Sequence, residues 1–158
     1  HGNQKVPGTD YSYVVHLSNV CMEILTADSC EKIGNLELAV LAALLHDTIE
    51  DTNITYNDIM EKFGKNVADG VQALSKDKSV DKEMRIKDSL RRIAAQPKEV
   101  QMVKMADRIT NLQKPPKHWS EEKIAKYKEE AELILETLGG CSRYLSDRMR
   151  RCISGYGI

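Results

Sequence analysis

Two histidines and several carboxylates of this chain stand in apolar surroundings, the setting in which a metal ion is the economical partner for buried charge. The stretch Ala42-Ala43-Leu44-Leu45-His46-Asp47-Thr48-Ile49-Glu50-Asp51-Thr52 is apolar up to Leu45, then carries an imidazole and three carboxylates within six residues. In a continuous helix Glu50 follows His46 by four residues and Asp47 by three, so all three share a face. Adjacent His46 and Asp47 would lie about 100° apart around the axis, close enough to meet one ion. The competing reading is a helix that ends in solvated acids. His16, in Tyr13-Val14-Val15-His16-Leu17, and Asp107, in Met105-Ala106-Asp107-Arg108-Ile109, bring two more ligand-type side chains into apolar neighbourhoods. Taken alone, a histidine such as His16 is more often a packed core residue than a ligand. A divalent ion held by such groups would lower the pKa of a bound water, so metal-assisted chemistry is in view.

The elements that must position these residues read as helices. Residues 1–10 contain Gly2, Pro7 and Gly8 and read as a loop. Apolar residues at helical spacing predict a helix over 13–27 that contains His16. The segment 36–49 is apolar nearly all round and is expected as a buried central helix. Thr55 with Asp58 three residues on predicts a capped helix over 56–63, closed by Gly64. Further helices are expected over 66–75 and 84–95, separated by the lysine-dense run 75–82. Pro97 suits the first turn of the next helix, where Asp107 and Asn111 share a face, and Pro115-Pro116 stops it. Ser120 caps a helix ending at Gly139-Gly140, and a last helix covers 142–153. No stretch alternates with a strand period. The expectation is all-α: a single domain over 1–158, a helical bundle of about seven to eight helices.

Composition narrows the function classes. The 158 residues suffice for one domain with a core. Basic and acidic residues number 23 and 24, a net charge of −1, which argues against a dedicated nucleic-acid binder. The four cysteines form no Cys-x-x-Cys pair, so a zinc–cysteine site is not expected. The longest apolar run, 38–45, is too short to span a bilayer, and no signal peptide is evident. A reduced, cytoplasmic setting with no membrane partner is the expectation.

The ordered set of motifs resembles the small stand-alone HD-domain hydrolases of guanosine tetraphosphate (ppGpp). These are relatives of the RelA/SpoT hydrolase domain, include the metazoan SpoT-like hydrolases and belong to the HD phosphohydrolase superfamily. The resemblance is carried by His1-x-x-Gln4, Gly8-Thr9, Tyr13-x-x-His16, the 42–52 stretch, Phe63-Gly64, Val103-Lys104-x-Ala106-Asp107-Arg108-x-x-Asn111-Leu112, Trp119-Ser120-Glu121 and Tyr127. It implies four metal ligands, His16, His46, Asp47 and Asp107, typically around Mn²⁺; the mixed N/O set also suits Fe²⁺ or Zn²⁺. It implies Glu50 as catalytic acid/base and Asn111 as the residue orienting water or phosphate. Asp51 either assists or is a solvated helix-end acid. Lys5, Lys82, Lys123 and Tyr127 fall at positions that hold substrate. The chain departs from the family pattern at Leu17, where proline is common, and at Lys5-Val6-Pro7, where a basic pair often follows Gln4. Relatives also carry a helix before the His1 stretch.

The implied activity is removal of 3′-pyrophosphate from ppGpp or pppGpp, a small-molecule nucleotide substrate. The alternatives are hydrolysis of another nucleotide, such as a deoxynucleoside monophosphate or NADPH, and a catalytically silent alarmone-binding module. Retention of all four ligands with Glu50 and Asn111 speaks against the last. The C-terminal Gly155-Tyr156-Gly157 lies in the wrong place for an HD-GYP motif.

Overall fold

A computed structural model describes residues 1–157. Among them it contains α1 (Val14–Cys30), α2 (Leu36–Leu45), α3 (Thr48–Asp51), α4 (Tyr56–Phe63), α5 (Lys65–Leu74), α6 (Arg85–Ala94), α7 (Lys98–Asn111), α8 (Glu121–Leu138) and α9 (Arg143–Gly155). A 3₁₀ turn, Gly139–Cys141, joins the last two, and the only β pairing among the described residues is an isolated bridge between Lys5 and Ser12. The fold class is all-α, as expected, and with the single-turn α3 set aside the helix count is eight.

Local signals account for most helix ends. Thr55 accepts from the Asp58 backbone N–H while the Asp58 carboxylate accepts from the Thr55 backbone, a complete capping box. Ser120 and Ser142 cap α8 and α9 more simply, each hydroxyl accepting from the backbone N–H three residues on, of Lys123 and Leu145. Gly64 joins α4 to α5 at φ 84°, a conformation that glycine adopts freely. α7 ends at Asn111, before Pro115-Pro116 is reached, so the prolines do not terminate it.

Two expectations need correction. The predicted helix over 36–49 is not continuous: α2 ends at Leu45, and α3 begins at Thr48. Asp47, at φ −97° and ψ −1°, is the N-cap of α3, its carbonyl accepting from the Asp51 N–H at 2.9 Å. The His46 ring contributes to this stop, because its Nδ1 lies 2.8 Å from the Ala43 carbonyl, three residues back. Nor is this segment the centre of the bundle. That place belongs to α7, which packs against α1, α2, α5, α6, α8 and α9. Its amphipathic pattern buries Val100, Val103, Met105, Ala106 and Ile109, whereas α2 buries mainly small residues, Ala39, Ala42 and Ala43, with Leu38. Those alanines keep α2 thin on the faces toward α1 and α7, and interaxial distance depends on the side chains at the contact. A second cluster of Leu38, Ile59, Val67, Ala68 and Val71 fastens α4 and α5 to the other side of α2.

Close approach also governs α5 against α7. A Cβ added at Gly70 would lie 2.8 Å from Cγ2 of Val100, which is fully buried. Alanine gains about 1 kcal/mol of helix propensity over glycine, but overpacking costs about 1–3 kcal/mol. Gly70→Ala is therefore expected to lower the urea midpoint, and Val100→Ala in the same chain should recover part of the loss. A Gly70→Ala variant more stable than wild type would refute this packing.

Candidate active site

Three helix segments deliver the ligand-type side chains to one point. His16 comes from the first turns of α1, His46 and Asp47 from the break after α2, and Asp107 from α7. The Nε2 atoms of His16 and His46 face each other at 3.3 Å. Oδ2 of Asp47 lies 3.0 Å from His46 Nε2 and 3.7 Å from His16 Nε2. Oδ1 of Asp107 lies 3.4 Å from His16 Nε2 and 3.8 Å from His46 Nε2. The tightest group is His16, His46 and Asp47, whose ligand atoms all fall within 4.8 Å of one another. Both imidazoles are buried.

This donor set fits a metal ion. Neighbouring ligand atoms around one ion, each about 2.1 Å from it, stand about 3 Å apart, and the separations here begin at that value. Donation from His46 Nδ1 to the Ala43 carbonyl leaves the Nε2 lone pair facing the cluster, the tautomer that ligation requires. Two Nε2 atoms facing each other at 3.3 Å can share one proton but cannot both present lone pairs without a cation between them.

Outer contacts hold the ligands in place. The Tyr13 hydroxyl donates to Asp47 Oδ2 at 2.5 Å. Lys104 Nζ pairs with Asp107 Oδ2 at 3.1 Å, and Asn111 Nδ2 donates to Asp107 Oδ1 at 2.7 Å. Burial opposes the charge on Asp107, but Lys104 and the two imidazoles outweigh it and hold the carboxyl well below the usual range. Burial likewise opposes ionisation of Asp47, and the His46 contact outweighs it, again lowering the carboxyl. For His46 burial disfavours the imidazolium, yet the Asp47 hydrogen bond and the charges of Asp107 and Asp47 raise it. Burial, reinforced by Asp47, pushes the Tyr13 phenol up, so it remains a donor.

The family model described as HD domain matches residues 1–140. The chain belongs to the HD domain family. Relatives named guanosine-3′,5′-bis(diphosphate) 3′-pyrophosphohydrolase MESH1 include one from Xenopus tropicalis, 32% identical over 79% of this chain and 73% of its own length. The namesake from Drosophila melanogaster is 31% identical over 92% of this chain and 82% of its own. A solved structure described as "A metazoan ortholog of SpoT hydrolyzes ppGpp and plays a role in starvation responses" superposes with a TM-score of 0.82 at 27% identity, over 99% of this chain and 88% of that one.

Within this HD fold the remaining expected residues divide. Asn111 joins the cluster through Asp107. Glu50 stands on α3, beyond the helix break from His46 and Asp47; its Oε1 accepts from Lys76 Nζ at 2.9 Å and its Oε2 from the Lys76 backbone N–H at 3.1 Å. Lys76, at the head of the lysine-dense run, is thus committed to Glu50 and is not a free cation. Asp51 is exposed and accepts from Gln4 Nε2 at 2.8 Å. Lys5 is exposed at the isolated bridge, and Lys82 is exposed between α5 and α6. Lys123 Nζ lies 4.1 Å from the Trp119 ring centroid. The Tyr127 ring lies under the Arg108 guanidinium at 3.9 Å, between Trp119 and Tyr156, and burial pushes its phenol up to about 12. No described helix is long and apolar enough to cross a membrane.

Sequence reasoning assigned no role to Tyr13 or Lys104, and it read Lys76 only as part of the lysine-dense run that could clamp outer phosphates, not as a partner of Glu50. The first two carry a helical signal, since each stands three residues before a ligand-type side chain, Tyr13 before His16 and Lys104 before Asp107. Lys76 carries none, being 26 residues from Glu50.

The cluster has a pH signature when chelator removes metal. Asp47 and Asp107 titrate lower in the fold than in the unfolded chain, so their contribution is full above about pH 4 and is lost as pH falls through the depressed values. His46 titrates higher in the fold, so its contribution is full below about pH 6.5 and is lost as pH rises through the raised value. In thermal melts of chelated protein, the advantage of wild type over His46→Gln should therefore be greatest between about pH 4 and 6.5 and narrow as pH rises above that window. An advantage independent of pH across that range refutes the charge assignment.

Proposed function

We propose that this chain is a divalent-metal-dependent phosphohydrolase that removes the 3′-pyrophosphate of ppGpp or pppGpp, giving GDP or GTP and pyrophosphate. The observation that carries the proposal is the convergence of His16, His46, Asp47 and Asp107 within one HD fold. The relatives at about 30% identity named for this activity supply the substrate class.

In this reading the four residues hold one ion, with Mn²⁺ expected and Fe²⁺ or Zn²⁺ compatible with the same donors. When bound, such an ion supplies Lewis acidity, favouring hydroxide at neutral pH and offsetting phosphate charge. The water oxygen bonds to the phosphorus next to the ribose, the bond from that phosphorus to the 3′ oxygen breaks, and a proton ends on the 3′ oxygen. Glu50 is the group that moves this proton. Asn111 orients the water or the phosphate beside Asp107, and Asp51, exposed and held by Gln4, fits the solvated helix-end acid of its two readings. The exposed ammonium groups of Lys5, Lys82 and Lys123 offer counter-charge to the outer phosphates. Tyr127 remains protonated at neutral pH, so its hydroxyl can donate to or accept from the substrate while its ring packs against the nucleoside.

Purified protein supplied with Mn²⁺ and a nucleotide panel is expected to release intact pyrophosphate from ppGpp. Stepwise orthophosphate, or faster cleavage of a deoxynucleoside monophosphate or NADPH, would overturn the substrate. Glu50→Gln should lose roughly 10²-fold or more in turnover while retaining metal by elemental analysis; alanine at His16, His46, Asp47 or Asp107 should lose both.

Neutral substitutions at Lys82 and Lys123 are each expected to raise KM for ppGpp at low salt, with circular dichroism unchanged. Wild-type KM in both variants would remove these residues from the substrate site.

A further inference from the structure

Glu50 faces a cavity of about 720 Å³ between α3, α5 and α6 whose wall also includes Lys76, Lys78, Arg91 and Arg92. Within that wall Lys76 stands apart, because it fills both oxygens of one carboxylate. Its ammonium donates to Glu50 Oε1 and its backbone N–H to Oε2. A second lysine, Lys78, reaches the Glu50 backbone carbonyl at 3.5 Å. The carboxylate is thus gripped at both oxygens by one residue, which fixes the plane of the group and not merely its distance.

The segment that supplies this grip is itself tied down. Arg92 on α6 donates to the carbonyls of Gln72, Ala73 and Ser75, at 3.1, 2.9 and 3.0 Å, closing the C-terminal end of α5 directly before Lys76. Asp88 holds Arg92 Nε at 2.8 Å. Ser75 is buried, with its hydroxyl on the Val71 carbonyl at 2.8 Å. A flexible surface loop would leave Lys76 free to sample many rotamers; here its backbone is held by a buried residue and by a guanidinium that is paired with an acid. Desolvation opposes the charge on Lys76 although its side chain keeps 57% of its surface exposed, and Glu50, with Asp107 and Asp47 beyond it, outweighs that and raises the ammonium.

We propose that Lys76 is a positioning residue that aims the Glu50 carboxylate, and that Arg92 anchors it, so the 75–82 run contributes to turnover through Glu50 as well as through any contact with phosphate. This rests on the reading of Glu50 as the proton-transfer group. The helix break makes such a residue necessary. Had 36–49 been one helix, the ladder would have aimed Glu50 toward His46 and Asp47. With the ladder interrupted at Asp47, Glu50 sits on the single turn of α3, and its direction depends on a contact from another element.

A positioning role and a phosphate-clamping role separate kinetically. Lys76→Met removes the ammonium and keeps the backbone N–H on Oε2. Positioning predicts a fall in kcat of roughly tenfold or more, with KM within about twofold and the melting temperature unchanged. Lys76→Arg should restore most of the loss. In a double-mutant cycle with Glu50→Gln, Lys76→Met should change kcat by less than about twofold, because the group it aims is already disabled. A raised, salt-sensitive KM with kcat intact makes Lys76 a phosphate clamp and overturns the proposal. So does an equal loss of kcat in the wild-type and Glu50→Gln backgrounds. Near wild-type turnover of Lys76→Met alongside an inactive Glu50→Gln overturns the positioning role alone, whereas an active Glu50→Gln overturns the reading of Glu50 as well.

Discussion

The packing of α1 and α7 against the alanine face of α2 is the contact on which the site depends. Ala39, Ala42 and Ala43 have no exposed surface, nor do Val20 on α1 and Val103 and Ala106 on α7. Larger side chains on α2 would hold the flanking helices away, and His16 and Asp107 would no longer reach His46. The apolar core thus does two things with the same atoms. It supplies burial energy, and it sets distances of 3.0–3.8 Å among groups that carry or share charge.

Bringing two imidazoles and two carboxylates together in a mostly apolar enclosure is costly without compensation. The structure compensates at two levels. The acids and imidazoles offset one another directly, which is why Asp47 and Asp107 are lowered and His46 is raised despite burial. Around them Tyr13, Lys104, Asn111 and the Ala43 carbonyl each occupy an atom of a ligand-type residue. Such outer contacts fix tautomer and orientation, so that an ion entering the cluster meets donors already aimed at it.

The helix break has a comparable part. Ending α2 at Leu45 turns His46 and Asp47 inward and hands Glu50 to a different neighbourhood, the cavity bordered by α5 and α6. The His–Asp cluster and Glu50 therefore stand in two adjoining environments, with only Thr48 and Ile49 between Asp47 and Glu50. Next to Asp107, the buried Arg108 pairs with Glu130 and covers Tyr127, which binds α8 to the helix that carries the ligand.

What the sequence by itself determined was local or periodic. The all-α class, the capped start of α4 at Thr55, the Ser120 cap, and the placing of His16 and Asp107 on helices all follow from spacing and capping chemistry within a few residues. The four ligand-type residues were legible because each interrupts an apolar pattern and their order matches a family. Tertiary structure alone decided where α2 stops, since the His46 ring and its buried partners outweigh a helix propensity that continues to Ile49. It alone decided that Lys76 faces Glu50 and that Tyr127 lies beneath Arg108, pairs separated by 26 and 19 residues. Periodicity reports which way a side chain leaves its own helix; it carries no record of which other helix is waiting there.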